Sequence, residues 1–177
     1  MLSFDRSSLE TKAARVDGKL ASDDPIWLAD DPRPADGLLV TGRLSSAGEE
    51  RFYFSGRMSG EVEEECRRCL GPASAKVDEE LHLLFADATD KESDDSDVYM
   101  LEPRATMVDL RPALREQWLL AAPGFALCRE DCKGLCPECG ANLNEIDCGH
   151  EPAVEDSRWA PLRDLRLTDF PAERNTN

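Results

Sequence analysis

All seven cysteines and one of the two histidines fall into two clusters with the spacing of metal ligands. The denser cluster runs through Cys128, Cys132, Cys136, Cys139, Cys148 and His150, and the other is Cys66-Arg67-Arg68-Cys69. A tetrahedral zinc ion takes four ligands and favours soft thiolates, so these residues can fill two structural zinc sites with no cysteine left over. Two cysteines with two residues between them present both sulfurs from one tight turn. In Cys136-Pro137-Glu138-Cys139-Gly140 the final glycine permits the left-handed backbone that such a knuckle needs, and backbone amides can then spread the thiolate charge. Cys66–Cys69 is a second knuckle, with its glycine, Gly71, displaced by one residue.

Cys148 and His150 lie close in sequence to Cys136 and Cys139, which predicts one local site from these four. Cys128 and Cys132 would then meet Cys66 and Cys69 across the fold, closing a loop of about sixty residues and coupling metal binding to folding. Two other arrangements stay open at this level: Cys66 and Cys69 joined by Cys136 and Cys139, or a single filled site with spare ligands.

Catalytic readings of the same residues are weaker. A redox dithiol wants a helix N-terminus to lower its thiol pKa, whereas Cys66–Cys69 follows Glu63-Glu64-Glu65 in a region patterned as strand. A catalytic zinc needs an open coordination position and a nearby base. His82 falls in an alternating strand pattern and reads as a packed or surface side chain. An iron–sulfur cluster fits the spacing, and the histidine in the last ligand position, less well than zinc does.

The elements that must position these ligands are legible in outline. Residues 1–36, punctuated by Pro25, Pro32 and Pro34, read as a short strand or arm followed by an extended linker. Leu38–Leu44, Arg51–Met58, Ser59–Cys66 and Ala75–Phe85 alternate or run as strands at short spacing, predicting an antiparallel meander with Cys66–Cys69 at the connection before its last strand. The stretch Asp87–Asp97 reads as a solvated acidic loop, followed by an extended piece at Val98–Leu101. Asp109 is the expected N-cap of a helix that carries Leu110, Ala113, Leu114, Trp118 and Ala121 on one face and ends at Pro123-Gly124. A short helix around 156–165 and a frayed tail complete the chain. The expected architecture is α+β: an antiparallel meander packed by one main helix (37–122), with a zinc-stapled cysteine-rich segment (123–170) packed on it and a tail (171–177).

Net charge is −16, from 37 acidic and 21 basic residues. A free-standing nucleic-acid binder shows the opposite balance, because affinity comes largely from neutralising phosphates. A basic protein partner suits this charge better. Hydrophobic residues make up 41% of the chain, enough for one modest core, and no run approaches a membrane span. With no signal-peptide pattern at the start, a cytoplasmic location is expected, where paired cysteines imply metal or redox chemistry over disulfides. Basic residues gather near the cysteines: Arg67 and Arg68 in the first knuckle, Arg129 and Lys133 in the second cluster, and Arg158, Arg163 and Arg166 after it. They either form a positive contact spot for RNA or a partner, or merely offset thiolate and carboxylate charge.

Taken together, Cys66-Arg67-Arg68-Cys69-Leu70-Gly71-Pro72, the helix segment Asp109-Leu110-Arg111-Pro112-Ala113-Leu114-Arg115-Glu116, the run from Leu127 to Asn144 and the ending Asp156-Ser157-Arg158-Trp159-Ala160-Pro161-Leu162 resemble the YceD family. The resemblance covers about residues 38–167, and the late cysteine run is its most specific part. One departure is His150, where relatives often carry cysteine; histidine is an equally good zinc ligand. The resemblance implies a bacterial or plastid protein linked to accumulation of large-subunit ribosomal RNA, often encoded beside a small zinc-ribbon protein of the large ribosomal subunit. It thus implies a non-enzymatic role in ribosome assembly or ribosomal RNA processing. The partner would be a large-subunit precursor, met through a basic ribosomal protein or through ribosomal RNA, with no membrane and no small-molecule substrate. A zinc-binding adaptor unrelated to ribosomes and a thiol redox protein are the competing classes.

Overall fold

A computed structural model describes residues 2–48, 50–87, 98–102 and 105–150. The chain divides into two compact units, Met1–Gly134 and Leu135–Asn177. The first carries all the helices and strands found among the described residues: β1 (Ser3–Asp5), α1 (Arg6–Thr11), β2 (Ala14–Leu20), β3 (Leu38–Ser46), β4 (Phe52–Glu65), β5 (Pro72–Asp87), β6 (Val98–Leu101), β7 (Met107–Asp109) and α2 (Arg111–Ala121). No helix among the described residues is long and apolar enough to cross a membrane.

The main sheet has the order β2-β3-β4-β5-β6. Its central strands follow the period-two pattern closely: Leu38, Val40 and Leu44 of β3 and Phe52, Phe54, Met58 and Val62 of β4 are buried on one face. Cross-strand rows such as Leu44, Phe54 and Leu83 stack these residues on the core side. The sheet is mixed and not wholly antiparallel as expected, because β6 runs parallel to β5, with Leu84 opposite Val98.

The largest departure from the sequence reading is at the N-terminus. Where a short strand or arm and a linker are expected, there are two strands and a short helix, and the second strand joins the main sheet: β2 pairs antiparallel with β3 from Ala14 opposite Leu44 to Leu20 opposite Leu38. Leu9, Val16, Leu20 and Trp27 are buried there. Their apolar positions are sparse among charged neighbours, so the pattern is weak in sequence and is completed only by pairing. The proline-rich stretch after β2 is a strap held to α2. Arg115 donates to both carboxylate oxygens of Asp31, at 2.6 and 2.8 Å, and the Trp118 indole N–H donates to the Pro32 carbonyl.

α2 buries Leu110, Ala113, Leu114 and Trp118 as its apolar spacing predicts. Trp118 lies over Gly60 of β4, where an added Cβ would stand 2.9 Å from the ring. The N-cap position belongs to Leu110, which makes no side-chain cap bond. Asp109 acts one residue earlier, its Oδ1 accepting from the Arg111 N–H at 3.0 Å. Pro112 takes its place in the first turn without loss because its missing N–H has no partner there.

Asp87 corrects the reading of the acidic stretch. It ends β5, is buried and pairs with Arg6 at 3.1 Å. Residues 88–97, and the expected helix and tail after His150, lie outside the described residues.

β4 and β5 stay paired to Glu65 opposite Pro72, whereas β3 follows β4 only to Leu39 opposite Ser59. The hairpin therefore runs on past the end of β3, and the first knuckle is its tip.

Candidate metal centres

The first ligand set lies wholly within the first unit. The ligand atoms of Cys66, Cys69, Cys128 and Cys132 all lie within 4.8 Å of one another. The Cys66 and Cys132 sulfurs are 3.7 Å apart, and so are those of Cys69 and Cys128. A disulfide would require about 2.05 Å. A tetrahedron with metal–sulfur bonds of about 2.3 Å has edges of about 3.8 Å, so these separations suit four thiolates around one zinc ion.

The knuckle backbone explains how the hairpin tip aims its sulfurs. The Cys66 N–H donates to the Gly71 carbonyl and the Leu70 N–H donates back to the Cys66 carbonyl, both at 2.8 Å. Leu70 takes the left-handed conformation, φ 57°, that closes this turn. The facing residues come from the segment after α2, which is docked by the Arg67 N–H donating to the Ala126 carbonyl at 3.0 Å. Ala73, Ala126 and Leu127 pack around the cysteines as a small apolar shell.

The second set, Cys136, Cys139, Cys148 and His150, belongs to the second unit, and its ligand atoms also lie within 4.8 Å of one another. Cys136 Sγ is 3.8 Å from His150 Nδ1. Its knuckle repeats the first one bond for bond. The Gly140 N–H donates to the Cys136 carbonyl at 2.9 Å, the Cys136 N–H donates to the Ala141 carbonyl at 2.8 Å, and Gly140 is left-handed at φ 72°. The shift of glycine between the two motifs therefore has a simple meaning: Leu70 occupies the position that Gly140 fills. Asn142 braces the following turn, its Oδ1 accepting from the Asn144 N–H at 3.1 Å.

The thiols differ in acidity according to their surroundings. The amide of Cys128 foremost, then that of Cys69, holds the Cys66 thiol down to about 6. The amides of Cys139 and Glu138 hold Cys136 down to about 7. Cys128 is exposed as a residue, but its sulfur is crowded by the other thiols. Desolvation first, and then the sulfurs of Cys132 and Cys69, push it up to about 12. Like charges packed this closely cannot all ionise by themselves; a divalent cation, were one bound, would let four thiolates share the space.

The basic residues singled out from sequence have separate fates. Arg68 turns inward, its guanidinium donating to the carbonyls of Glu130 at 3.3 Å and Cys132 at 2.8 Å. It holds the segment that carries Cys132 and acts as a positioning residue. Arg67 lies over the ring of the exposed Phe125, 4.4 Å from its centroid, a cation–π pair that sequence spacing does not signal. Arg129 faces Asp131 at 3.5 Å, and Lys133 too has an interaction partner. Arg158 and Arg163 lie outside the described residues. His82 is a surface side chain whose Nδ1 is 2.8 Å from the Tyr53 hydroxyl.

Comparison with known proteins bears on the whole arrangement. Residues 54–166 match the family described as Large ribosomal RNA subunit accumulation protein YceD. An uncharacterized protein of Mycobacterium tuberculosis is 33% identical over 134 residues, which cover 74% of this chain and 56% of the relative. One from Mycobacterium leprae is 30% identical over 138 residues, covering 76% and 62%. The Large ribosomal RNA subunit accumulation protein YCED homolog 1, chloroplastic, of Arabidopsis thaliana is 38% identical over 66 residues, 36% of this chain and 20% of that one. The chain thus spans a little over half the length of the mycobacterial relatives. No solved structure matches it. The matched stretch takes in both knuckles, α2 and every residue of both ligand sets, and on that extent the chain belongs to the YceD family of large ribosomal RNA subunit accumulation proteins.

Proposed function

We propose that this chain is a non-enzymatic zinc-binding factor of the cytoplasm that supports accumulation and processing of large-subunit ribosomal RNA during ribosome assembly. The observation that carries the reading is that the family match encloses two complete four-ligand sets. Cys66, Cys69, Cys128 and Cys132 would hold one zinc ion, and Cys136, Cys139, Cys148 and His150 the other. Four protein ligands each leave no open position for substrate, so the metals act as staples. The dithiol alternative is disfavoured because Cys66 and Cys69 sit on a hairpin tip among four mutually close thiols, with no helix N-terminus behind them among the described residues.

The partner is a large-subunit precursor. An overall charge of −16 favours contact through a basic ribosomal protein over direct contact with ribosomal RNA. Sedimentation of tagged protein through a gradient tests the role: the protein should travel with large-subunit precursors during rapid growth. Protein found only at the top of the gradient would sink the reading.

A further inference from the structure

Among the described residues the β4–β5 hairpin leaves a long edge open. β6 pairs only with Leu84–Asp87, so from Pro72 to Leu83 β5 has no strand neighbour on that side among the described residues. Two bonds reveal which main-chain groups face outward. The Ala35 N–H donates to the Glu61 carbonyl at 2.8 Å, so that carbonyl points away from β5, while the Cys66 N–H reaches the Gly71 carbonyl across the hairpin. Antiparallel ladders alternate between bonded and non-bonded pairs. Glu61 opposite Lys76 and Glu63 opposite Ser74 are therefore non-bonded pairs, and the amides and carbonyls of Ser74 and Lys76 project to the open edge. An edge of this kind is a template for an added strand.

Beside the start of that edge lies an open groove of about 770 Å³, lined by Glu63, Glu64, Glu65, Leu70, Ser74 and Cys128 among others. Leu70 is 61% exposed. None of the three glutamates is in an ion pair among the described residues. The groove combines carboxylates without an ion pair, the apolar Leu70, Pro72 and Ala73, and, among the described residues, a run of main-chain groups with no strand partner. That combination complements an extended polypeptide with cationic and apolar side chains, and it repels a phosphate backbone.

We propose that the β5 edge at Ser74 and Lys76, with the groove beside it, docks an extended lysine- or arginine-bearing segment of a partner protein. The segment adds as a strand to β5 and sets its cations against Glu63 and Glu65. This names the partner class for the assembly role and, in its biology, rests on that reading.

The test is titration of the full zinc-loaded chain with a short synthetic peptide alternating lysine and valine, beside its glutamate counterpart and an RNA oligonucleotide. The lysine peptide should bind, the glutamate peptide should not, and amide exchange should slow at Ser74 and Lys76. Glu63→Lys combined with Glu65→Lys should weaken binding about tenfold or more. Ser74→Pro removes only an outward amide and should weaken binding as well. Zinc content and far-ultraviolet dichroism should match the parent; if the charge reversal loses zinc, Glu63→Gln with Glu65→Gln takes its place. No binding of the lysine peptide, binding that both kinds of variant leave intact, or protection of the edge by RNA instead would each overturn the proposal. A parent that binds the peptide but never sediments with precursors keeps the docking site and removes the assembly role.

Discussion

The sulfur of Cys66 lies 3.7 Å from that of Cys132, although 66 positions separate the two residues in sequence. That distance is too long for a disulfide and close to the edge of a zinc–thiolate tetrahedron. It ties the tip of the β4–β5 hairpin to the segment that follows α2, so metal at this site links elements that the hydrophobic core alone does not join.

Purified protein should therefore contain two zinc ions per chain, by elemental analysis, with one retained in Cys66→Ser and one in Cys136→Ser. Cys66→Ser should melt at lower temperature than Cys136→Ser, because the lost site closes the longer loop. A single zinc in the parent would remove the two-site arrangement.

The two arginines of the first knuckle should behave differently. Arg68→Ala frees the carbonyls of Glu130 and Cys132 and should weaken zinc binding at the first site about 10- to 100-fold, measured by chelator competition. Arg67→Ala loses only its stacking on Phe125 and should leave zinc affinity at the parent value. Equal effects of the two changes would contradict the positioning role of Arg68.

Leu70 and Gly140 hold the same left-handed turn position, at φ 57° and 72°. A side chain there costs about 1–2 kcal/mol, while glycine raises the entropy of the unfolded chain by about 0.5–1 kcal/mol. Leu70→Gly should thus be neutral or stabilise by up to about 1 kcal/mol in denaturant melts, with both zinc ions kept. Gly140→Ala should destabilise by about 1 kcal/mol. Marked destabilisation by Leu70→Gly would show that the exposed Leu70 side chain contributes to stability.

Gly60 exists to admit Trp118. Gly60→Ala puts a Cβ 2.9 Å from the indole and should cost about 1–3 kcal/mol, with the Trp118 environment changed in near-ultraviolet dichroism. Trp118→Ala should cost about 3–5 kcal/mol, because the ring is fully buried between α2 and the sheet. A Gly60→Ala protein as stable as the parent would contradict this packing.

The strap over α2 should confer acid sensitivity. The Arg115 guanidinium beside Asp31 holds that carboxyl below its ordinary 3.8. A lowered pKa stabilises the fold above the unfolded value and loses that contribution as pH falls through the folded one. Stability should therefore drop on acidification below about 4, and Asp31→Asn should be weaker at neutral pH with a smaller drop. Parallel acid profiles for the two proteins would show that the pair does not contribute.

What could be read from the chain depended on how locally each feature is encoded. The strands β3, β4 and β5 show in the alternation of Leu38, Val40, Phe52, Phe54 and Leu83, because each residue reports its own face. α2 shows in the spacing of Leu110, Ala113, Leu114 and Trp118. Residues 1–36 read only as a short strand or arm before a linker, and β2 was not located, since its two buried side chains, Val16 and Leu20, are too few to signal against Arg15, Asp17 and Lys19, and its place depends on β3. The role of Arg68 was hidden for a different reason. Its partners are main-chain carbonyls more than sixty residues away, and these carry no sequence signature.

The sequence by itself determined the donor chemistry and the turns that present it, since a knuckle is built from a few consecutive residues and its left-handed position. Only the tertiary structure decided the rest. Folding the segment after α2 against the hairpin tip brought Cys128 and Cys132 to Cys66 and Cys69, turned Arg68 inward, and, among the described residues, left the β5 edge without a strand neighbour beside three glutamates in no ion pair. Those outcomes depend on which surfaces bury one another across long stretches of chain, and spacing along a sequence does not record that choice.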